Sequence, residues 1–251
     1  MNRKSGVLFD LDGVFYMSNQ AIDGGQKLID SLRKKSIPFR FLTNTTTKTR
    51  KDICEKLGDI GLQVKENEIF SAAYIGINYL RSIGSPPCYL LIHKEIYSDY
   101  SEFDSHNRRP EFVVVGDRGH NWNYDDLNKG FRYLMEGAGL IALHKGRYFQ
   151  TSDGLEIDIG AFVAGFEYSS GKTAVSLGKP NPLFFQTVLK DISMKSEEVI
   201  MVGDDLINDI GGAQRTGMKG VLVRTGKFRK SDLSHSDVKP DFIIESINEL
   251  E

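Results

Sequence analysis

The sequence predicts an α/β protein built on a parallel sheet, with a second, smaller α/β domain inserted into it. Three observations support this. Short apolar runs of strand length alternate with amphipathic stretches of helical length. Polar clusters close three of those runs. The clusters lie toward the two ends of the chain, separated by a region with its own strand–helix alternation.

Residues 7–11 form an apolar run suited to a buried strand. Over 24–35, Leu28, Ile29 and Leu32 recur at helical spacing. A second strand run at 37–42 ends at Thr43-Asn44. Residues 50–60 read as helix, with Gly61 as the stop. Further strand runs fall at 89–92, 112–115, 140–143, 199–202, 220–223 and 241–244. Strands alternating with helices imply a parallel sheet covered on both faces. Segments 82–87 and 104–110 are loop-rich. The expected organisation is a core of residues 1–78 and 178–251 with an inserted domain at 79–177.

Bulk properties exclude several classes. A chain of 251 residues with 40% hydrophobic and 26% charged residues can bury a sizeable core without disulfides or structural metals. A formal net charge of −2 gives no electrostatic case for nucleic acid or an anionic membrane as partner. No apolar run is long enough to span a bilayer. Residues 1–5 are basic, but Asp10 and Asp12 interrupt the apolar stretch that follows, so no signal peptide is expected and the expected location is cytoplasmic. Cys54 and Cys88 lack metal-type spacing and read as small apolar fillers in a reducing compartment. There is no fixed-period repeat and no low-complexity tract.

The polar clusters carry the chemistry. Asp10 and Asp12 close the first strand run, Thr43 and Asn44 the second, and Gly203, Asp204 and Asp205 the run at 199–202. Ligand sites in open parallel α/β sheets form at the carboxyl ends of strands, so the three clusters converge on one site. Asp10, Asp12, Asp204, Asp205 and Asp209 would gather several negative charges there. A hard divalent cation such as Mg²⁺ resolves that repulsion through oxygen ligands. Lys179 adds a fixed positive charge. Such a cleft suits a phosphoryl group. An aspartate can attack phosphorus, and a second carboxyl two residues on can move the proton.

Each signal alone has an ordinary reading. Asp-x-Asp at a strand end is commonly a turn or helix cap, and Thr-Asn, Gly-Lys-Pro and Gly-Asp-Asp are commonly turns. Asn44-Thr45-Thr46 matches a glycosylation acceptor but falls in the expected site. Ser169-Ser-Gly-Lys-Thr173 resembles the end of a phosphate-binding loop, yet Phe166 stands where its first glycine should be. The five histidines show no metal-type pairing. Two polar clusters of the inserted region, His144-Lys145-Gly146-Arg147-Tyr148 and Asp117-Arg118-Gly119-His120, are candidates for substrate contact against a solvated-surface alternative.

Taken in order, Asp10-x-Asp12-Gly13-Val14, Leu42-Thr43-Asn44, Gly178-Lys179-Pro180 and Gly203-Asp204-Asp205-x₃-Asp209 resemble the four motifs of the haloacid dehalogenase-like (HAD-like) hydrolase superfamily. The large insertion between the second and third motifs is similar to that of the NagD-like subfamily. Supporting segments are Leu42–Thr46, His144–Tyr148, Gly211–Arg215 and Val223–Lys227, and the resemblance covers nearly the whole chain.

The resemblance implies a Rossmann-like parallel-sheet core (HAD-like) with an inserted α/β cap domain, and a Mg²⁺-dependent phosphatase acting on a small phosphorylated substrate. Asp10 would carry an aspartyl-phosphate and Asp12 would be the general acid and base. The Asp10 carboxylate, the Asp12 backbone carbonyl and Asp204 would hold the metal. Asp205 and Asp209 would sit around it, Thr43 and Asn44 would hold phosphoryl oxygens, and Lys179 would neutralise nucleophile and phosphate. A homodimer through the cap is also implied. Two rival readings stay open: a hydrolase of phosphoamides (phospholysine, phosphohistidine) or inorganic pyrophosphate, and a non-catalytic phospholigand-binding protein.

Overall fold

The computed structural model describes residues 5–151 and 153–250, without the side chains of Gln150 and Thr151. The basic residues 1–4 lie outside it. The chain divides into two compact units. Among the described residues, one comprises 5–43, 50–70 and 179–250, the other 44–49, 71–151 and 153–178.

The first unit is an α/β layer structure around a six-stranded sheet. The strand order is Phe242–Ile244, Lys219–Val223, Val199–Gly203, Gly6–Asp10, Phe39–Thr43, Ile69–Ser71. The first five strands in that order are parallel to one another. Gly6–Asp10 lies inside the sheet, and its apolar run follows from that position, because a strand covered on both faces has no reason to alternate. Phe9, Phe41 and Val202 pack with Leu28, Ile29 and Leu32 of helix Gly25–Lys34 and with Ile53 and Leu57 of helix Arg50–Asp59. Leu8, Met201 and Leu222 point the opposite way along their strands and are also fully buried, so the sheet is covered on its other face too.

Strand order places the site. Chain order runs outward from Gly6–Asp10 to Phe39–Thr43 on one side, and to Val199–Gly203, Lys219–Val223 and Phe242–Ile244 on the other. This reversal is the topological switch point, outside whose carboxyl ends ligands bind in α/β sheets. Phe9 is in register with Val202, and Asp10 with Leu42. The polar residues that close these strands therefore emerge side by side.

The second unit has a four-stranded parallel sheet in the order Val175–Ser176, Gly139–Ala142, Phe112–Val115, Cys88–Leu91. Leu91, Val113, Val115 and Leu140 pack with Leu134 of helix Tyr124–Met135 and with Val163 and Phe166 of helix Gly160–Ser170. Helix Ala72–Ser82 also belongs to this unit. An antiparallel hairpin, Tyr148–Thr151 with Gly154–Ile157, sets Tyr148 opposite Ile157. Tyr148, Leu155 and Ile157 on this hairpin are exposed.

Candidate active site

Asp10 is the last residue of its strand, and the burial of Leu8 and Phe9 fixes the position at which its carboxyl leaves the sheet. Lys179 reaches it from the segment before helix Pro182–Asp191, whose N-terminus is capped by the Asn181 side chain. The Lys179 ammonium is 2.6 Å from Asp10 Oδ1, 2.6 Å from Asp209 Oδ1 and 3.3 Å from the Leu42 carbonyl oxygen. Its side chain is only 4% exposed. Burial favours the neutral amine, but the two carboxylates outweigh it and raise the pKa, so Lys179 is a cation.

Asp204 and Asp209 follow the strand Val199–Gly203. Asp205 sits between them and has a different task. Its Oδ1 accepts from the backbone N–H groups of Ile207 (3.0 Å) and Asn208 (2.9 Å), capping the wide helical turn Leu206–Gly211. Its Oδ2 accepts from the Asn208 side-chain amide at 2.7 Å. The Asp205 carbonyl accepts from both Asp209 N–H and Ile210 N–H, the spacing that opens this turn to a π-helix. Asp209, held in that turn, accepts from Lys179 through Oδ1 and from Asp205 N–H through Oδ2.

Carboxylate oxygens of Asp10, Asp204 and Asp209 lie within 4.8 Å of one another. Burial raises the pKa of Asp204, and the charges of Asp10 and Asp209 raise it further. Asp209 is raised too, by burial first, against the pull of Lys179. Asp204 Oδ2 accepts from the Lys227 backbone N–H at 2.6 Å, while Asp204 Oδ1 is buried with no hydrogen-bond partner among the described residues. An unpartnered buried carboxylate oxygen beside two further carboxylates is the donor set a hard divalent cation takes.

The remaining expected residues are placed as follows. Thr43 closes its strand and is buried, next in the chain to Leu42. Asn44 falls in the second unit, where its Oδ1 and the His144 Cβ crowd the Cα of Gly178. Asp12 stands outside the carboxylate cluster, and its side chain reaches water. Even so, the crowded cleft around it and the charge of Asp10 raise its pKa, against Lys227 and Lys56, which lower it.

In the second unit, His144 is buried, accepts from Gly146 N–H at Nδ1 and has Nε2 3.7 Å from Asp158 Oδ1. Lys145 pairs with Glu167 at 2.8 Å. Arg118 pairs with Asp126 at 2.7 Å beside Trp122, which stacks on Phe162. Asp117 N–H donates to Thr46 Oγ1 at 3.1 Å.

Comparison with known proteins decides the family. Residues 7–106 match the haloacid dehalogenase-like hydrolase model, and residues 176–250 match a HAD-hydrolase-like model. Human phospholysine phosphohistidine inorganic pyrophosphate phosphatase is 38% identical over 250 residues, covering 97% of this chain and 92% of that protein. The chain belongs to the haloacid dehalogenase-like hydrolases. Two solved HAD-type structures agree in fold. The 4-nitrophenylphosphatase of Thermotoga maritima superposes with a TM-score of 0.91 at 28% identity, covering 99% of this chain and 96% of its own. NagD of E. coli K-12 superposes with a TM-score of 0.88 at 26% identity, covering 98% of each chain. The HAD-like, NagD-like resemblance of the motifs is borne out, as is the α/β fold with a parallel-sheet core. The protein is a hydrolase of the phosphatase type.

Two residues around the HAD site went without a role in the sequence reading. Lys227 holds Asp204 through its backbone N–H, and its Nζ is 3.9 Å from Asp205 Oδ2. The signal was present in Thr225-Gly226-Lys227 directly after the strand end at Val223. Tyr16 is buried, and burial together with the charges of Asp12 and Asp10 raises its pKa, so it remains a phenol. Nothing in its spacing marked it. No helix among the described residues is long and apolar enough to cross a membrane.

Proposed function

We propose that the protein hydrolyses small phosphorylated substrates in two steps centred on Asp10. The observation that carries this reading is the Lys179 ammonium held 2.6 Å from Asp10 Oδ1. It fixes the carboxylate's orientation and supplies positive charge where phosphoryl oxygens gather in transfer. In the first step an Asp10 oxygen bonds to phosphorus, the bond from phosphorus to the leaving group breaks, and Asp12 gives its proton to that group. In the second step Asp12 takes a proton from water, the water oxygen bonds to phosphorus, and the bond from phosphorus to the Asp10 oxygen of the acyl phosphate breaks, restoring the carboxylate and releasing orthophosphate. The raised pKa of Asp12 suits a residue that must hold a proton and then accept one.

The donor set at Asp10 and Asp204 fits Mg²⁺, with the Asp12 backbone carbonyl as the further protein ligand suggested by the family resemblance. Mg²⁺ would supply neutralisation of charge on the phosphoryl oxygens. Asp209, whose two oxygens are already engaged, orients Lys179. Asp205 positions Asp209 by capping the turn that carries it. Thr43 and the Asn44 backbone are assigned to the phosphoryl oxygens.

This reading places the protein in the cytoplasm, in keeping with two free cysteines. It also includes a homodimer through the inserted unit, supported by exposed Tyr148, Leu155 and Ile157 on one hairpin. Phosphoamides and pyrophosphate are second-choice substrates, favoured by the name of the 38%-identical human relative. The test of the main reading is Asp10→Asn assayed with 4-nitrophenyl phosphate and Mg²⁺. Loss of turnover is expected, and undiminished turnover would sink the assignment. A phosphate-release panel of pyrophosphate, N-phospholysine and sugar phosphates ranks the substrates.

A further inference from the structure

Two lysines near Asp12 have no part in the steps above. Lys56, on helix Arg50–Asp59, is exposed and holds its Nζ 4.2 Å from the centroid of the Tyr16 ring. Tyr16 is tied to the Asp12 loop. Its backbone bridges that of Asp12, and its carbonyl accepts from Gly13 N–H at 2.8 Å. Lys227 comes from the loop after strand Lys219–Val223, and its side chain is 62% exposed. That loop is pinned to the Asp12–Gly13 turn, because the Thr225 hydroxyl donates to the Gly13 carbonyl and Lys227 N–H to Asp204. Arg229 fixes it further by folding its guanidinium onto the carbonyl oxygens of Gly226, Lys227 and Phe228.

If Asp12 protonates the leaving group, as proposed above, that group must lie against the Asp12 loop, to which Tyr16 beneath Lys56 and the segment carrying Lys227 are both tied. Among the described residues, Lys56 is committed to an aromatic face and Lys227 to one loose ion pair. Lys179 already holds Asp10, and Lys227 adds its charge to the field over Asp10 and the neighbouring carboxylates without a close pair to Asp10. We propose that Lys56 and Lys227 form a leaving-group subsite that selects phosphorylated substrates whose leaving group carries its own negative charge, a carboxylate or a second phosphate. This inference rests on the assignment of Asp12 as proton donor. It narrows the substrate class away from neutral alcohols and cationic amines.

The test compares two near-isosteric substrates, 3-carboxyphenyl phosphate and 3-carbamoylphenyl phosphate, which differ by one negative charge. The readout is the ratio of their kcat/KM values in the unsubstituted enzyme, Lys56→Gln, Lys227→Gln and Lys227→Arg. The carboxylate is expected to be preferred, each Gln variant to lower the ratio by about two- to fivefold, added salt to lower it likewise, and Lys227→Arg to keep it. A change in absolute rate common to both probes cancels in the ratio. Hydrolysis of both probes with a ratio indifferent to both Gln substitutions overturns the subsite alone. Release of phosphate from neither probe by the unsubstituted enzyme overturns the phosphatase reading and the subsite with it.

Discussion

The buried ammonium of Lys179 stands 2.6 Å from the carboxylate of Asp10 and shares its remaining charge with Asp209 at the same distance. Lys179→Met would leave two buried carboxylates without the ammonium that is hydrogen-bonded to both. Removing one partner of a buried ion pair costs about 3–5 kcal/mol. The loss should be larger at pH 8 than at pH 5.5, because burial already raises the Asp209 carboxyl and acid lets it protonate once Lys179 no longer opposes that. Thermal melts at the two pH values check this. Turnover should fall by about 100-fold or more, measured with an aryl phosphate.

Metal binding should release protons. In the metal-free protein, burial and mutual repulsion raise the carboxyl pKa values of Asp204 and Asp209, so the folded state keeps protons that the unfolded chain has shed. Stability contributed by a carboxyl with a raised folded pKa is present at low pH. It is lost as pH rises from the usual carboxylate value of about 4 through the raised values. The metal-free protein should therefore melt at a lower temperature at pH 7.5 than at pH 5.5. Mg²⁺ should raise the melting temperature more at pH 7.5. Calorimetric titration in buffers of different ionisation enthalpy should report proton uptake by the buffer on Mg²⁺ binding. Equal binding enthalpies across buffers would contradict it.

Gly13 has φ +83° and faces Asp204 so closely that a Cβ would overlap its carboxylate. Gly13→Ala should cost about 1–3 kcal/mol through backbone strain alone and should abolish Mg²⁺-dependent activity by displacing Asp204. Gly58, inside helix Arg50–Asp59 with nothing within 4 Å of its would-be Cβ, is the counterpart. Gly58→Ala should leave activity intact and add up to about 1 kcal/mol of stability. Urea midpoints and aryl phosphate turnover separate the two outcomes.

Phe15 lies three residues beyond Asp12 and packs edge-on against Phe9 and Phe41, with centroids 5.2 and 5.1 Å away. It anchors the Asp12 loop in the core beneath the sheet. Phe15→Ala should cost about 3–5 kcal/mol. It should also lower kcat, because the loop bearing Asp12, the proposed proton donor, loses its anchor. Phe15→Leu should recover most of the stability. Retained urea resistance in Phe15→Ala would show that the loop is held otherwise.

The fold was readable where burial leaves a periodic or continuous apolar signal. The run expected at 7–11 is the strand Gly6–Asp10, the helix expected at 24–35 is Gly25–Lys34, and 112–115 is a strand to the residue. Short elements escaped. Ile69–Ser71 has three residues and Val175–Ser176 two, too few for alternation to register. The hairpin Tyr148–Thr151 with Gly154–Ile157 has no buried face in its second strand, so hydrophobic patterning could not reveal it. In the candidate site, side chains near strand ends were legible, and those of Asp10, Lys179, Asp204 and Asp209 lie together in the structure. Contributions made through the backbone were not. Lys227 serves Asp204 by its amide, which any residue but proline carries. Asp205 looked like one more acid of a charge cluster and is a helix cap.

Gly13 and Gly226 meet back to back against Asp204. A Cβ on either would overlap the same carboxylate and come within 3.0 Å of the other's Cα. Neither position can therefore be rescued by a change at its partner, since each substitution strikes two fixed objects at once. For a lineage that keeps Asp204, the pair is a narrow gate in sequence space. Side chains elsewhere in the loop can be exchanged one at a time at the cost of a hydrogen bond or a charge, while these two positions admit no intermediate.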